Sequence, residues 1–214
     1  MFHIYIGRML SWLTVLIVFF GTVLLYVMPV WYRTQEPMTS GTTVYLLGDS
    51  VLNNARYVPP THSVEAQLQQ RLAVPLKNLA EDGAKIQDLE QQMAGLEASN
   101  VQHAVLSIGG NNILAGDRLT DMQQQMEKAL AMLLTKVPAN KITLLAVYKP
   151  HDPMYDIYHR DIQAWNAWLR QHSRGITVVD LMYFLRDPDD FAYVEPSWQG
   201  SAKIANALVG YLSA

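Results

Sequence analysis

The sequence predicts a three-layer α/β/α body with a mainly parallel five-stranded sheet, preceded by one N-terminal transmembrane helix. Two observations carry this. Residues 9–32 hold no charged side chain. Beyond residue 42, five short apolar runs alternate with segments whose apolar residues recur every three to four positions. Such a β-α-β-α order puts helices on both faces of a parallel sheet, with right-handed crossovers.

The uncharged run covers 24 positions from Met9 to Tyr32. As a helix rising about 1.5 Å per residue it spans roughly 36 Å, enough for a hydrocarbon core of about 30 Å. Trp12 lies near one end and Tyr26, Trp31 and Tyr32 near the other, as interfacial aromatics do. A cleaved signal peptide fits less well, since its apolar region is about 7–15 residues and ends in a small-x-small site. Val27-Met28-Pro29-Val30 is no such site. The expected layout is therefore an anchor over 1–33, a polar linker over 34–42 with Pro37, Ser40 and Gly41, and a globular domain over 43–214. A short inner amino end and an outer body are expected, which for a bacterial protein means the inner membrane and the periplasm.

Within the body, the run Thr43–Leu47 is the first strand, ending at Gly48. Val64–Leu72 has helical spacing. Val74–Leu79 is the second strand, edge-like because Pro75 cannot donate to a ladder. Ile86, Leu89, Met93 and Leu96 mark a helix, Ala104–Ile108 a buried strand stopped by Gly109-Gly110, and Leu119–Val137 a long amphipathic helix. Ile142–Val147, Asp161–His172, Ile176–Val179 and Ser201–Leu212 complete the alternation as strand, helix, strand and helix.

Composition narrows the chemistry. The chain has no cysteine, which excludes disulfides and thiolate chemistry. Its formal net charge is −3. With Arg8 and Arg33 set aside, the body carries 14 basic against 19 acidic residues, a poor match for a nucleic-acid backbone. No histidine pair has zinc-site spacing, so metal catalysis is not expected.

In a parallel sheet of this kind, sites form at the carboxyl ends of the strands. Gly48-Asp49-Ser50 follows the first strand; Ser50 there either presents its hydroxyl at a helix start or, with Asp49, caps that helix. Asn78 to Gly83 follows the second, where Gly83 serves a turn or lets a backbone N–H approach a substrate. Gly109-Gly110-Asn111-Asn112 follows the third, a bend able to aim a carboxamide at Ser50. In this order the three segments resemble the blocks of the SGNH (GDSL-type) hydrolases, with Asn-Asn where the third block usually has Asn-Asp. The resemblance spans the soluble part and implies that Ser50 is the nucleophile and that no metal or organic cofactor is required. It also implies that the N–H groups of Ser50 and Gly83 and the Asn111 amide form an oxyanion hole, Asn112 being a further substrate contact.

The fourth block departs from the family. Asp-x-x-His-Pro is usual; here Tyr193-Val194-Glu195-Pro196 puts Glu195 at the histidine position and Ala192 at the aspartate position. Three outcomes stay open. Glu195 is the base, with its pKa raised by burial; or His151, after the fourth strand, replaces it; or the site only binds. Trp198 is a candidate contact for a sugar or acyl group. His62 is a more distant base candidate, Asp189 and Asp190 could orient a base or simply form a solvated turn, and Asp180 reads as a cap. The leading expectation is a membrane-anchored esterase or O-acyltransferase acting on an acylated extracytoplasmic glycan or lipid. The alternative is an inactive binding or assembly module of an envelope polysaccharide system.

Overall fold

The computed structural model describes residues 43–212. The predicted anchor and linker lie outside the described residues; among these, no helix is long and apolar enough to cross a membrane. The sheet has five strands: β1 (Thr43–Gly48), β2 (Leu76–Asn78), β3 (Val101–Ser107), β4 (Ile142–Ala146) and β5 (Thr177–Asp180). Their order is β2-β1-β3-β4-β5, and every pairing is parallel. Pro75 precedes the edge strand β2, and its carbonyl still accepts from Val44 N at 2.9 Å, as the edge reading requires.

Six α-helices cover the two faces. They are α1 (Val64–Arg71), α2 (Leu89–Ala94), α3 (Gly110–Leu114), α4 (Leu119–Lys136), α5 (His159–His172) and α6 (Trp198–Leu212). Because side chains alternate along a strand, Tyr45 and Leu47 pack with α2, α4 and α5, while Val44 and Leu46 pack with α1 and α6. Burial on both faces explains why the strands read as continuous apolar runs. Each fully buried Leu contributes about 1.5–3 kcal/mol relative to exposure.

Three features depart from the sequence reading. The helix expected from Ile86 begins as a 3-10 turn, Ile86–Asp88, where Asp88 Oδ2 accepts from Lys85 N at 2.8 Å. The short helix α3 follows β3 directly, its bend made by Gly109. A two-stranded antiparallel ribbon, β6 (Phe191–Ala192) and β7 (Glu195–Pro196), stands apart from the main sheet. Neither α3 nor the ribbon is long enough to show a period in the sequence, yet both position the site.

The strand order reverses direction between β1 and β3, since the chain goes from β1 outward to β2 and returns across to β3. Ligands of such sheets sit in the crevice at this switch point, above the strand carboxyl ends. Gly48 and Ser107, the last residues of the two strands, are register partners there.

Candidate active site

Gly48 turns the chain into the crevice. Its φ is +116°, and a Cβ there would lie 1.7 Å from the Ser107 carbonyl oxygen, so only glycine fits. Gln92 of α2 grips this residue on both sides: Gly48 N donates to Oε1 at 2.6 Å, and Nε2 donates to the Gly48 carbonyl at 2.9 Å. Asp49 N donates to Ser107 O at 2.9 Å, while Leu52 N and Asn53 N both donate to Asp49 O. The turn stops there and no α-helix follows until α1, which corrects the expectation that Ser50 opens a helix. Asn53 and Asn54 divert the backbone instead: Asn53 Nδ2 donates to Ala80 O, and Asn54 Nδ2 to Pro196 O.

With no helix there to cap, Asp49 closes the turn itself. Its Oδ1 accepts from Val51 N at 3.2 Å and from Ser107 Oγ at 3.1 Å. Ser50 is free of that duty. Its Oγ donates to Glu195 Oε1 at 2.8 Å, across 145 positions of sequence, and both residues are buried.

Glu195 is held by the ribbon. Ala192 faces it across the ribbon, and Tyr193, at φ +62°, turns the chain between them. The Tyr148 hydroxyl donates to Val194 O at 2.7 Å. Behind the ribbon, Asn54 Nδ2 donates to Ser201 Oγ as well as to Pro196 O, and Ser197 accepts from Gln199 N and Gly200 N at the start of α6. The ribbon is thus fastened to the Ser50 turn, to β4's continuation and to α6.

Electrostatics favour protonation of both carboxyl groups at the site. Burial pushes Glu195 above the ordinary carboxylate range; the Ser50 hydrogen bond opposes this and the Asp82 charge reinforces it. Burial pushes Asp49 to about 7, with the Glu195 charge adding to the rise and hydrogen bonds from Val51 and Ser107 opposing it.

The two remaining blocks meet beside this pair. Glu81 N donates to Gly48 O at 2.9 Å, which ties the second loop to the first. Asn78 reinforces it, donating to Leu52 O and to Glu65 Oε2. Gly83 turns this loop at φ +78°, with nothing within 4 Å of a Cβ built there. Asn111 Nδ2 donates to Ala84 O at 3.0 Å, which links the third block to the second. A primary amide has two N–H donors, so one remains for the crevice.

Ser50, Asn111, Asp49 and Glu195 line one cavity of about 540 Å³ of free space, its open mouth included. Gly83 does not line it, although its loop is bonded to Asn111. Asn112 is turned inward: it is fully buried, its Oδ1 accepts from Ile86 N, and its Nδ2 donates to Asp117 Oδ2. It closes α3 against the 86–88 turn and presents no group to a substrate, contrary to expectation.

The other candidates stay apart. His151 is exposed in the loop after β4, hydrogen-bonds to no described residue and does not line the cavity. Trp198 is half-exposed and packs edge-on against His62, outside the cavity. Asp190 is not a solvated turn residue. It is buried and accepts from Arg186 N, Asp187 N and Lys203 Nζ, which leaves it structural. Asp180 does cap, accepting from Met182 N. Among the described residues no cluster of His, Asp or Glu is arranged to hold a metal. The sequence reading missed Tyr148, Asn54 and Gln92, polar residues within otherwise apolar or glutamine-rich runs, where no spacing marks them.

Comparison with known proteins follows the same outline. The family model of the GDSL-like lipase/acylhydrolase family matches residues 46–202. No curated protein sequence matches the chain significantly. A member of the lipolytic G-D-S-L family from Veillonella parvula superposes with a TM-score of 0.69 at 21% identity, over 79% of this chain and 97% of that one. The acetylxylan esterase Axe2 from Geobacillus stearothermophilus gives 0.64 at 14%, over 83% and 97%. The esterase EstA from Pseudoalteromonas sp. gives 0.61 at 16%, over 80% and 97%.

Proposed function

Since the chain belongs to the GDSL-like lipase/acylhydrolase family, we propose that it is a serine hydrolase of carboxylic esters, or an O-acyltransferase, with Glu195 as its base. The observation that carries this is the 2.8 Å hydrogen bond from Ser50 Oγ to Glu195 Oε1. A serine hydroxyl attacks a carbonyl only as its proton leaves, and an ionised carboxylate at this distance can take it.

In this reading Ser50 Oγ bonds to the ester carbonyl carbon while its proton passes to Glu195. The carbonyl oxygen becomes an oxyanion, met by the Ser50 N–H and by the free amide hydrogen of Asn111, since both residues line the cavity and Gly83 does not. Collapse expels the alcohol, which takes the proton back from Glu195 and leaves acyl-Ser50. Water, or a sugar hydroxyl in the transferase variant, then attacks that acyl group with Glu195 again as base. A Glu195 pKa raised by burial serves this chemistry, because a more basic carboxylate accepts a proton more readily than an ordinary one. The 1–33 segment would tether the enzyme to the bacterial inner membrane, with an acylated periplasmic glycan or lipid as substrate.

The test is covalent. A fluorophosphonate should label Ser50, and Ser50→Ala should abolish both labelling and ester turnover. Absence of labelling across about pH 5–9 defeats the reading, since that window brackets the titration of any plausible base.

A second reading, an inactive binding module, is favoured by one observation: the other oxygen of Glu195 accepts no hydrogen bond from any described residue, so no third group orients it. Glu195→His discriminates between them. If that substitution creates activity absent from the parent, the parent only binds.

A further inference from the structure

The cavity beside Ser50 is divided in chemistry. Its polar groups gather at the Ser50 end, whereas Leu114, Val147, Tyr148, Ile162 and Leu181 make the remaining wall apolar. The charged groups that line it are Asp49 and Glu195, and no Arg, Lys or His does so. A phosphate, sulfate or carboxylated group would therefore meet carboxyls with no cation to offset them. A neutral hydrocarbon chain meets a wall suited to it.

Gly110 sets the width. A Cβ built there would lie 3.9 Å from Asp49 Oδ2 and 3.9 Å from Val147 Cγ1, ordinary contact distances. A methyl group thus fits without backbone movement and occupies the gap between those two residues. Gly110 also has no positive φ and begins α3, so its backbone makes no demand for glycine. Its missing side chain is room for something else. Opposite, the Val147 backbone is clamped by Asn166, with Val147 N donating to Oδ1 at 2.9 Å and Nδ2 donating to Val147 O at 2.7 Å. Trimming the Val147 side chain therefore leaves the wall in place.

We propose that this cavity receives the acyl group of the substrate ester, a neutral unbranched aliphatic chain longer than acetyl, and that Gly110 and Val147 set the chain length it admits. The proposal rests on the ester-hydrolase reading of Ser50. In the reaction already described, the chain would lie against the apolar wall while the carbonyl carbon meets Ser50 Oγ and the alcohol leaves through the mouth.

The test is a chain-length profile: kcat/KM for p-nitrophenyl acetate, butyrate, hexanoate and octanoate, on the parent, Gly110→Ala and Val147→Ala, with thermal unfolding to show that each is folded. The parent should prefer a longer chain over acetate by about tenfold or more, the discrimination one methylene earns in an apolar pocket. Gly110→Ala should reduce the ratio of that longer ester to acetate by about tenfold. Val147→Ala should move the optimum to a longer chain, and opposite shifts from two substitutions cannot come from general destabilisation. Should Gly110→Ala fail to fold, the Val147→Ala profile decides alone. A parent that prefers acetate, or variants whose profiles match the parent's, overturn the acyl assignment while leaving the hydrolase reading intact. No turnover of any ester, together with no fluorophosphonate labelling of Ser50, defeats the hydrolase reading and the assignment with it.

Discussion

Glu195→Gln separates catalysis from folding at the centre of the site. The amide is nearly the same shape as the carboxylate, and its oxygen can still accept from Ser50 Oγ at 2.8 Å. What it cannot do is take the proton. Removing a general base lowers kcat/KM by about 10²–10⁴-fold, or roughly 3–5 kcal/mol of transition-state stabilisation. Stability should move the other way. A carboxyl whose folded pKa is raised contributes stability that is fully present below its unfolded pKa and is lost as pH rises through the folded pKa. Burial raises Glu195 in this sense, so near neutral pH its ionised form opposes folding. The glutamine variant lacks that charge and should unfold at the same or a higher temperature than the parent. Ester turnover and differential scanning fluorimetry on the same preparations give both numbers. A variant that keeps turnover within about threefold of the parent refutes Glu195 as base, since even the weakest general base contributes far more.

Asp49→Asn keeps an acceptor for Val51 N and Ser107 Oγ but has no charge to bury. With Asp49 raised from 3.8 to about 7, its stabilising share is fully present below pH 3.8 and lost as pH rises through 7. The parent should therefore lose on the order of 2–3 kcal/mol of stability between about pH 5 and pH 8 through this residue. Urea unfolding at both values should find that loss missing from the variant. Asn111→Ala should lower kcat by about 10²–10³-fold with little change in KM, as removal of one oxyanion donor does; steady-state kinetics on an ester decide it. Tyr148→Phe leaves the Val194 carbonyl without its hydroxyl donor, which costs about 1–3 kcal/mol in urea unfolding. Ala192→Asp places a carboxylate across the ribbon from Glu195 and should move the acid limb of the kcat/KM profile to higher pH.

The sheet was legible because its central strands β1, β3 and β4 are buried on both faces, so Thr43–Leu47, Ala104–Ile108 and Ile142–Val147 stand out as apolar runs. Their glycine stops then pointed to the strand ends where Ser50 and Asn111 lie. What the sequence concealed is short or polar. The ribbon has only two residues in each strand, too few for a period of two to appear. Asn112 reads as half of a polar pair, yet Asn111 lines the cavity and Asn112 turns inward, because successive helical residues point about 100° apart. Gln92 sits among glutamines that look like a solvated helix face, and only the fold shows it closing on Gly48. His151 was a candidate by position in the chain alone; the loop that carries it runs outward.

In the mechanism proposed above, with Glu195 as the base, the two departures in the fourth block are one change in charge. An imidazole base begins neutral and becomes a cation when it takes the serine proton, and a buried acid beside it stabilises that cation. A carboxylate base begins as an anion and becomes neutral, so no cation forms and no acid partner is called for. An aspartate at position 192 would instead face Glu195 across the ribbon as a like charge. Alanine there follows from glutamate at 195. The same charge change bears on the oxyanion: under that proposal the negative charge moves from Glu195 to the carbonyl oxygen, and no cation forms beside it. Stabilisation must then come from donors aimed at the oxygen's new position, which puts the weight on Asn111 and the Ser50 N–H. Without an imidazolium nearby, this site should depend on Asn111 at least as strongly as a histidine-based one.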